Sequence, residues 1–325
     1  LRRLKDYILI FAKGLCMGAT EVIQGVSGST VAVILGVYQE FIQSVSSIDR
    51  QSVRLLRSRD LTAFWAKING GFLFSITAGI ITGLLVLTSL VTYALRYHFI
   101  AFSSFLFGLI LICGLLILRK VKKWTFVGVL AFLVGVVLNY SLALLTPMHT
   151  PDNAILGGAA GFFSGFAVTI PGLSSAFILL MIGKYQLIVT SFSELNLVVA
   201  GLFLLGCAAG LWIASRLISR MFAHSYNTTV ALLAGLTLGA LNKLWPWRNI
   251  FEYTTSSKGD QIPAHDTSIL PWNYMGQTGK DPQVFLAILM MALGVFLVVL
   301  IEKIAAGLKQ KSEHGKSIWT NRTNR

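Results

Sequence analysis

The sequence predicts an all-α, polytopic membrane protein made of two inverted repeats, each a re-entrant helical hairpin followed by three transmembrane helices. Three observations carry this expectation. Several apolar runs extend for about twenty residues, the length a helix needs to cross a bilayer core of roughly 30 Å. A segment broken by glycine and serine occurs twice, 147 positions apart. Basic residues gather in the gaps between apolar runs rather than within them. The composition agrees: 55% of the residues are hydrophobic and only 12% are charged, which is how chains that live in lipid are built.

The first repeated segment, MGATEVIQGVSGSTVAVILGVYQ, covers residues 17–39 and returns in outline as SGFAVTIPGLSSAFILLMIGKYQ at 164–186. At this offset Gly14, Gly18, Ile23, Gly25, Ser27, Gly36, Tyr38, Gln39 and Ser44 meet Gly161, Gly165, Ile170, Gly172, Ser174, Gly183, Tyr185, Gln186 and Ser191 without a gap. Between Gly14 and Gln24 the first apolar arm is about 16 Å long as a helix, half a bilayer. It stops at GVSG before a second arm running from Thr30 to Ile42. Two half-length arms around a break describe a re-entrant hairpin over 11–45, and its copy lies over 154–192.

Six further runs, 68–95, 99–118, 124–146, 195–215, 229–247 and 283–304, are read as full spans. With both hairpins returning to the side they enter, 21 of the 27 Lys and Arg residues fall on one side. The bias of basic loops toward the cytoplasm makes that side the inner one and places both termini there. The three crossings between the copies put the second hairpin into the membrane from the opposite face. The chain accordingly divides into a first repeat, 1–146, a second, 147–306, and a basic cytoplasmic tail, 307–325. The stretch 46–68 carries Arg50, Arg54, Arg57, Arg59 and Lys67 and suits the cytoplasmic interface, with anionic lipids as partners. The long polar stretch 248–282 is expected outside as a cap or flap.

Several function classes are excluded. A formal charge of +14 could suggest nucleic acid, but its placement between apolar runs is that of a topology signal, so no nucleic-acid partner is expected. Cys16, Cys113 and Cys207 are odd in number and lie in apolar segments, and the five histidines have no pair at ligand spacing. Neither a disulfide framework nor a metal site is expected, and no cofactor. No Ser-His-Asp or His-rich phosphatase constellation is present, so no catalytic residues are assigned.

Broken backbone within lipid leaves polar groups that must be met by protein, water or ligand. Inverted-repeat transporters bind substrate where such breaks meet near the midplane. The candidate substrate-binding residues are therefore Gly25, Ser27, Gly28, Ser29 and Thr30 in the first copy and Gly172, Ser174 and Ser175 in the second. Glycine permits close backbone approach, and the hydroxyls and free N–H groups favour an anion. Glu21 is the deepest carboxylate in an apolar segment, a position that is usually functional. It is the candidate for proton or ion coupling, and its counterpart is Val168, so its role is asymmetric.

The stretches KGLCMGATEVIQGVSGSTVAVILGVY and GFAVTIPGLSSAFILLMIGKY also resemble the bacterial polyprenyl-phosphate transporter family of the PopT type, formerly a domain of unknown function. The resemblance runs from about residue 11 to 306 and rests on a paired PGxSG-like element followed by Gly-x-Tyr. It implies translocation of undecaprenyl phosphate, the lipid carrier of cell-envelope precursors, from the outer to the inner leaflet of the bacterial cytoplasmic membrane. Two departures stand out: Gln24 replaces the family's Pro, and SGST replaces SGGT. Two other readings of the same residues are a transporter or channel for a small inorganic ion and an integral-membrane phosphatase or acyltransferase. Oligomeric state is not legible.

Overall fold

In the computed structural model of the chain, the described residues run from 2 to 323 without Val22, Gln24, 146–147, 149 and 256–260; side chains at 250–266 and 305–323 are also left undescribed. The architecture is helical. Helix α1 (Leu4–Thr20) leads to a break, α2 (Gly28–Ile34) and α3 (Tyr38–Ser46). Two short helices follow, α4 (Arg50–Arg57) and α5 (Leu61–Lys67), then the long helices α6 (Gly70–Tyr97), α7 (Phe99–Leu118) and α8 (Phe126–Leu144). The plan then repeats: α9 (Ala154–Val168), α10 (Ser175–Met181), α11 (Tyr185–Ser193), α12 (Leu197–His224) and α13 (Tyr226–Gly239). A 3-10 turn (Ala240–Leu244), strands β1 (Arg248–Thr255) and β2 (Gln261–Ser268), α14 (Pro271–Thr278) and α15 (Val284–Thr323) complete the chain.

Both broken segments fold as hairpins, with the return arm tied to the middle of the entering helix in the first and to the residues just before the entering helix in the second. In the first, the Lys13 ammonium donates to Leu35 O at 2.8 Å, tying the end of α2 to the middle of α1. In the second, the Met148 N–H donates to Met181 O at 2.8 Å and the Thr150 hydroxyl to Ile182 O at 2.8 Å. The fully buried Lys184 ammonium donates to Thr150 O, Pro151 O and Asp152 Oδ1 at 2.8, 2.7 and 2.6 Å. A buried ammonium needs this full set of acceptors, since desolvating a charge without partners is costly.

Two details differ from the sequence expectation. The entering arm begins at Leu4 rather than Gly14, about 25 Å of helix, because Lys5, Asp6 and Lys13 interrupt the apolar pattern without interrupting the helix. The return arm is two helices rather than one: a glycine at positive φ, Gly36 or Gly183, separates α2 from α3 and α10 from α11, with a bend of 111° in the second hairpin. The copies agree in register throughout, so that the first residues of α2 and α10, and of α3 and α11, stand at the offset read from the sequence.

Helices α6, α7, α8, α12 and the 284–304 part of α15 are each long and apolar enough to cross a membrane. The predicted span 229–247 is a 14-residue helix, α13, continued by the 3-10 turn. Together they still reach about 30 Å, because a 3-10 turn rises further per residue than an α-helix. Phe126 and Phe285 are each 84% exposed on these helices, as lipid-facing side chains are. The inner faces carry small residues, which lets backbones meet where lipid supplies no hydrophobic drive to associate helices.

Helix α1 packs on α6 and α9 on α12, each within its own half. The third spans are exchanged: α8 packs on α13 and α15 on α7. At these seams a methyl group on Gly235 would lie 2.1 Å from Phe132 O, and one on Gly108 2.1 Å from Met291 O. Met17, Val31, Tyr38, Phe41, Phe72, Ile76, Leu233 and Leu236 form a buried cluster joining the first hairpin to α6 and α13. The stretch 248–282, expected as an outer cap, contains an antiparallel pair of strands, with Arg248 opposite Ser268, and α14. These are the strands that an all-α reading did not anticipate.

Candidate functional site

The two hairpin tips are in direct contact. Each turns at a glycine in the left-handed region, Gly25 at φ +89° and Gly172 at φ +90°, a conformation that side chains with a Cβ rarely adopt. Each return helix is then capped by a serine, Ser27 accepting from the Ser29 N–H at 3.3 Å and Ser174 from the Phe177 N–H at 3.4 Å. This is the ordinary use of serine at a helix start. Across the tips, the Gly172 N–H donates to Thr30 Oγ1 at 2.9 Å and the Ser174 hydroxyl to Ile23 O at 3.3 Å. The Tyr38 hydroxyl donates to Thr169 O at 2.9 Å. The Gly172 N–H, Ile23 O and Thr169 O are thus each met by the other hairpin.

Glu21 lies at the centre of this contact. It follows α1 as its C-terminal cap residue, and its carboxylate turns toward the tip. Oε1 accepts the Gly28 N–H at 2.8 Å, and Oε2 accepts the Ser175 hydroxyl at 2.7 Å. One carboxylate therefore bridges both hairpins, each oxygen taking one donor from a different repeat. Gly28 is glycine for a steric reason: a Cβ there would sit 2.6 Å from Glu21 Oε1. Two of the donors that the sequence suggested for an anion are engaged by a carboxyl group belonging to the chain itself.

All the predicted site residues converge here. Ser27, Thr30 and Ser174 are buried, and Ser27 and Ser29 share a hydrogen bond of 2.6 Å. The hydroxyls are satisfied within the protein, so the arrangement is a closed one, with the Gly28 N–H and the Ser175 hydroxyl both taken by the Glu21 carboxylate. Gln24, the departure from the family's Pro, lies outside the described residues. Among the described residues, no group of three His, Cys, Asp or Glu side chains is placed to hold a metal ion.

The sequence reading missed Asn139. This buried amide on α8 donates to Gly172 O at 3.0 Å and to Leu236 O at 2.6 Å, holding the second tip against α13. The signal was present, since Asn139 is the only amide in the apolar run of α8, and a buried amide in lipid must find partners. It also missed Lys243, which the structure brings beside Gly25 and over the ring of Phe177, 4.7 Å from its centroid.

Comparison with known proteins adds to this geometry. Residues 17–262 match a family model described as undecaprenyl phosphate translocase-like. A polyprenyl-phosphate transporter of Vibrio cholerae is 33% identical over 303 residues, covering 92% of this chain and 97% of the relative. A polyprenyl-phosphate transporter of Staphylococcus aureus is 29% identical over 253 residues, covering 72% of this chain and 84% of the relative. No solved structure matches the chain significantly.

Proposed function

The chain belongs to the undecaprenyl phosphate translocase-like family, and from that premise we propose that it moves a polyprenyl-phosphate lipid, undecaprenyl phosphate in the first place, from the outer to the inner leaflet of the bacterial cytoplasmic membrane. The lipid carrier is thereby returned for another round of cell-envelope synthesis. The reading is of transport and not of catalysis.

The observation that carries it is the bridge from Glu21 to Gly28 and Ser175. A phosphate is, like a carboxylate, an acceptor of N–H and O–H donors, so headgroup and Glu21 compete for one set of donors. Glu21 ionised holds the two tips together and repels a phosphate. Glu21 protonated is a poorer acceptor and carries no charge; it releases Gly28 and Ser175 to the headgroup, with Ser27, Ser29, Thr30 and Ser174 as further hydroxyls and Gly25 and Gly172 allowing close approach. Loss of the proton lets the carboxylate take its donors back and expel the phosphate. Transport is coupled to a proton in this way, while the polyprenyl tail stays in lipid.

The orientation follows from charge. The two halves, 1–146 and 147–306, are inverted repeats whose hairpins enter from opposite faces, with both termini and the tail cytoplasmic. Helices α4 and α5 lie on the anionic inner leaflet: Val53, Leu56, Leu61 and Trp65 are exposed apolar side chains beside Arg50, Arg54, Arg57 and Arg59, the pairing that interfacial helices show.

Purified protein in liposomes, given labelled undecaprenyl phosphate in one leaflet, tests the reading. Accelerated appearance of the label in the other leaflet is the expected result. Movement of inorganic phosphate without the lipid would favour a small-ion transporter, and release of free phosphate from the lipid would favour a phosphatase.

A further inference from the structure

We propose that the seam between α6 and α11 is the lateral entrance by which the hydrocarbon tail of the substrate, held in the outer leaflet, lies against the protein while its headgroup reaches the hairpin tips. The inference rests on the transport reading above.

The two halves correspond contact by contact. Helices α6 and α12, both 28 residues long, match end to end. A methyl group on Gly14 would meet Ile76 O at 2.3 Å, and one on its counterpart Gly161 would meet Phe203 O at 2.2 Å. One on Gly18 would meet Ile80 O at 2.0 Å, and one on Gly165 would meet Cys207 O at 2.1 Å. Each entering arm therefore docks on its own long helix in the same way, backbone against backbone.

One pair of seams breaks this likeness. Helix α3 packs on α12, whereas the equivalent helices α11 and α6 show no comparable packing. Across the first seam the Trp212 indole N–H donates to Ile48 O at 2.7 Å; the residues in the matching positions, Leu85 and Leu195, are 73% and 76% exposed. Val45 on α3 is 5% exposed and its counterpart Phe192 on α11 is 46% exposed. Ala214 and Ser215 are fully buried on α12, while Leu87 and Thr88 on α6 are not. One seam is closed by protein and the other stands open. In the orientation proposed above, the closed seam faces the cytoplasm and the open one the outer leaflet.

The open seam leads to the Glu21 bridge. Helix α6 meets α1 at Gly18, where a methyl group would lie 2.9 Å from Leu84 N, one turn of helix before Glu21. On the other side, α10 begins at Ser175 and leads into α11. Glu21 and Ser175 are both partly exposed, although Ser27, Ser29, Thr30 and Ser174 around them are buried. The polar pair contested by the headgroup is thus the part of the tip contact that the protein leaves uncovered. Binding sites join mostly apolar walls to a few placed polar groups. Leucine and phenylalanine along this seam, with hydrogen-bonding groups at its inner end, fit an amphiphile with an anionic head and a hydrocarbon tail; a small ion needs no such walls.

Irradiation of the purified full chain with farnesyl phosphate carrying a diazirine at the end of its tail, followed by peptide mapping, tests this. Label should fall on α6 near Leu84 and Leu85 and on α11 near Phe192. Excess unlabelled farnesyl phosphate should abolish it and farnesol should not. The equivalent stretches of α12 and α3 should carry no label that competes in this way. Competable label confined to other helices, or as strong on α3 and α12 as on α6 and α11, overturns the entrance. The liposome assay with labelled undecaprenyl phosphate runs beside the mapping. Transport without competable label on α6 and α11 overturns the entrance and leaves the transport reading in place. Competable label there without transport supports the seam as a lipid-binding surface and overturns the transport reading, and absence of both overturns both.

Discussion

Glu21 and Ser175, 154 residues apart in sequence, share a hydrogen bond of 2.7 Å that joins the tips of two hairpins. Glu21→Gln is expected to retain headgroup binding, because it carries no charge to repel the phosphate and, as a poorer acceptor, leaves the Gly28 N–H and the Ser175 hydroxyl to it. It should lose the pH dependence and the gradient-driven accumulation of transport. Liposomes assayed across pH, with and without an imposed proton gradient, give the comparison; a profile like that of the unmodified protein would make Glu21 purely structural.

Removing single hydroxyls should separate cap from bridge. Ser27→Ala and Ser174→Ala each remove a helix cap and should cost on the order of 1 kcal/mol of stability. Ser175→Ala removes a donor to a charged acceptor and should cost about 1.5–3 kcal/mol, with a larger loss of transport. Thermal denaturation in detergent beside the liposome assay ranks the three, and full transport in all of them would reduce the tips to packing.

Gly28→Ala probes the bridge from its backbone side. The added methyl would meet Glu21 Oε1 at 2.6 Å, so the carboxylate must leave the Gly28 N–H. Gly172→Val should be worse, since its φ of +90° excludes a branched side chain and its Cβ would lie 2.5 Å from Leu236 O. Gly28→Ala should fold and transport slowly, whereas Gly172→Val should fail to accumulate; expression and single-turnover transport distinguish them.

Asp49 should fasten α4 to α5 down to acid pH. Hydrogen bonds from Lys67 Nζ at 2.5 Å and from the Ser52 N–H at 2.9 Å hold its carboxyl well below the usual carboxylate range, at about 2. A depressed carboxyl contributes stability above its unfolded value near 4, and that contribution is lost as pH falls toward 2. Protection of the α4 amides, taken relative to their intrinsic exchange rate at each pH, should therefore hold steady from neutral pH to about 4, then fall. Asp49→Asn should show the weaker protection above about pH 4 and approach the unmodified protein toward pH 2.

Sidedness is testable with single cysteines in a background lacking Cys16, Cys113 and Cys207. Positions 46–68 and the tail should be reached only from the cytoplasm, and 150–153 and 276 only from outside. Labelling of 46–68 in intact cells by an impermeant reagent would remove the inverted arrangement of the hairpins.

What the sequence made legible was local and periodic. The matched spacing of Gly25 with Gly172 and of Ser27 with Ser174 located both turns and both caps, since a positive φ and a helix start each demand a narrow set of residues. The start of α1 was hidden, because hydropathy weighs Lys13 as an interruption when its ammonium is in fact spent on Leu35 O. The choice of partners was also hidden. Nothing local in Thr30 names Gly172, nothing in Lys184 announces full burial, and Asn139 stands out only as an amide among apolar neighbours. Contacts between residues far apart in the chain depend on how the helices meet, which spacing along one segment does not record.

The exchange of third spans sets a timetable for making the protein. When synthesis has passed α8, that helix and α7 are in the membrane with their seams facing lipid, because α13 and α15 do not yet exist. A ribosome must add everything from the second hairpin through α12 before α8 meets α13, and must reach α15 before the backbone of α7 meets that of α15. Neither half can therefore settle first and act as a template for the other. A chain stopped before α13 would leave the Asn139 amide without Leu236 O, and one stopped before α15 would leave the Gly108 face of α7 without the backbone it meets at Met291.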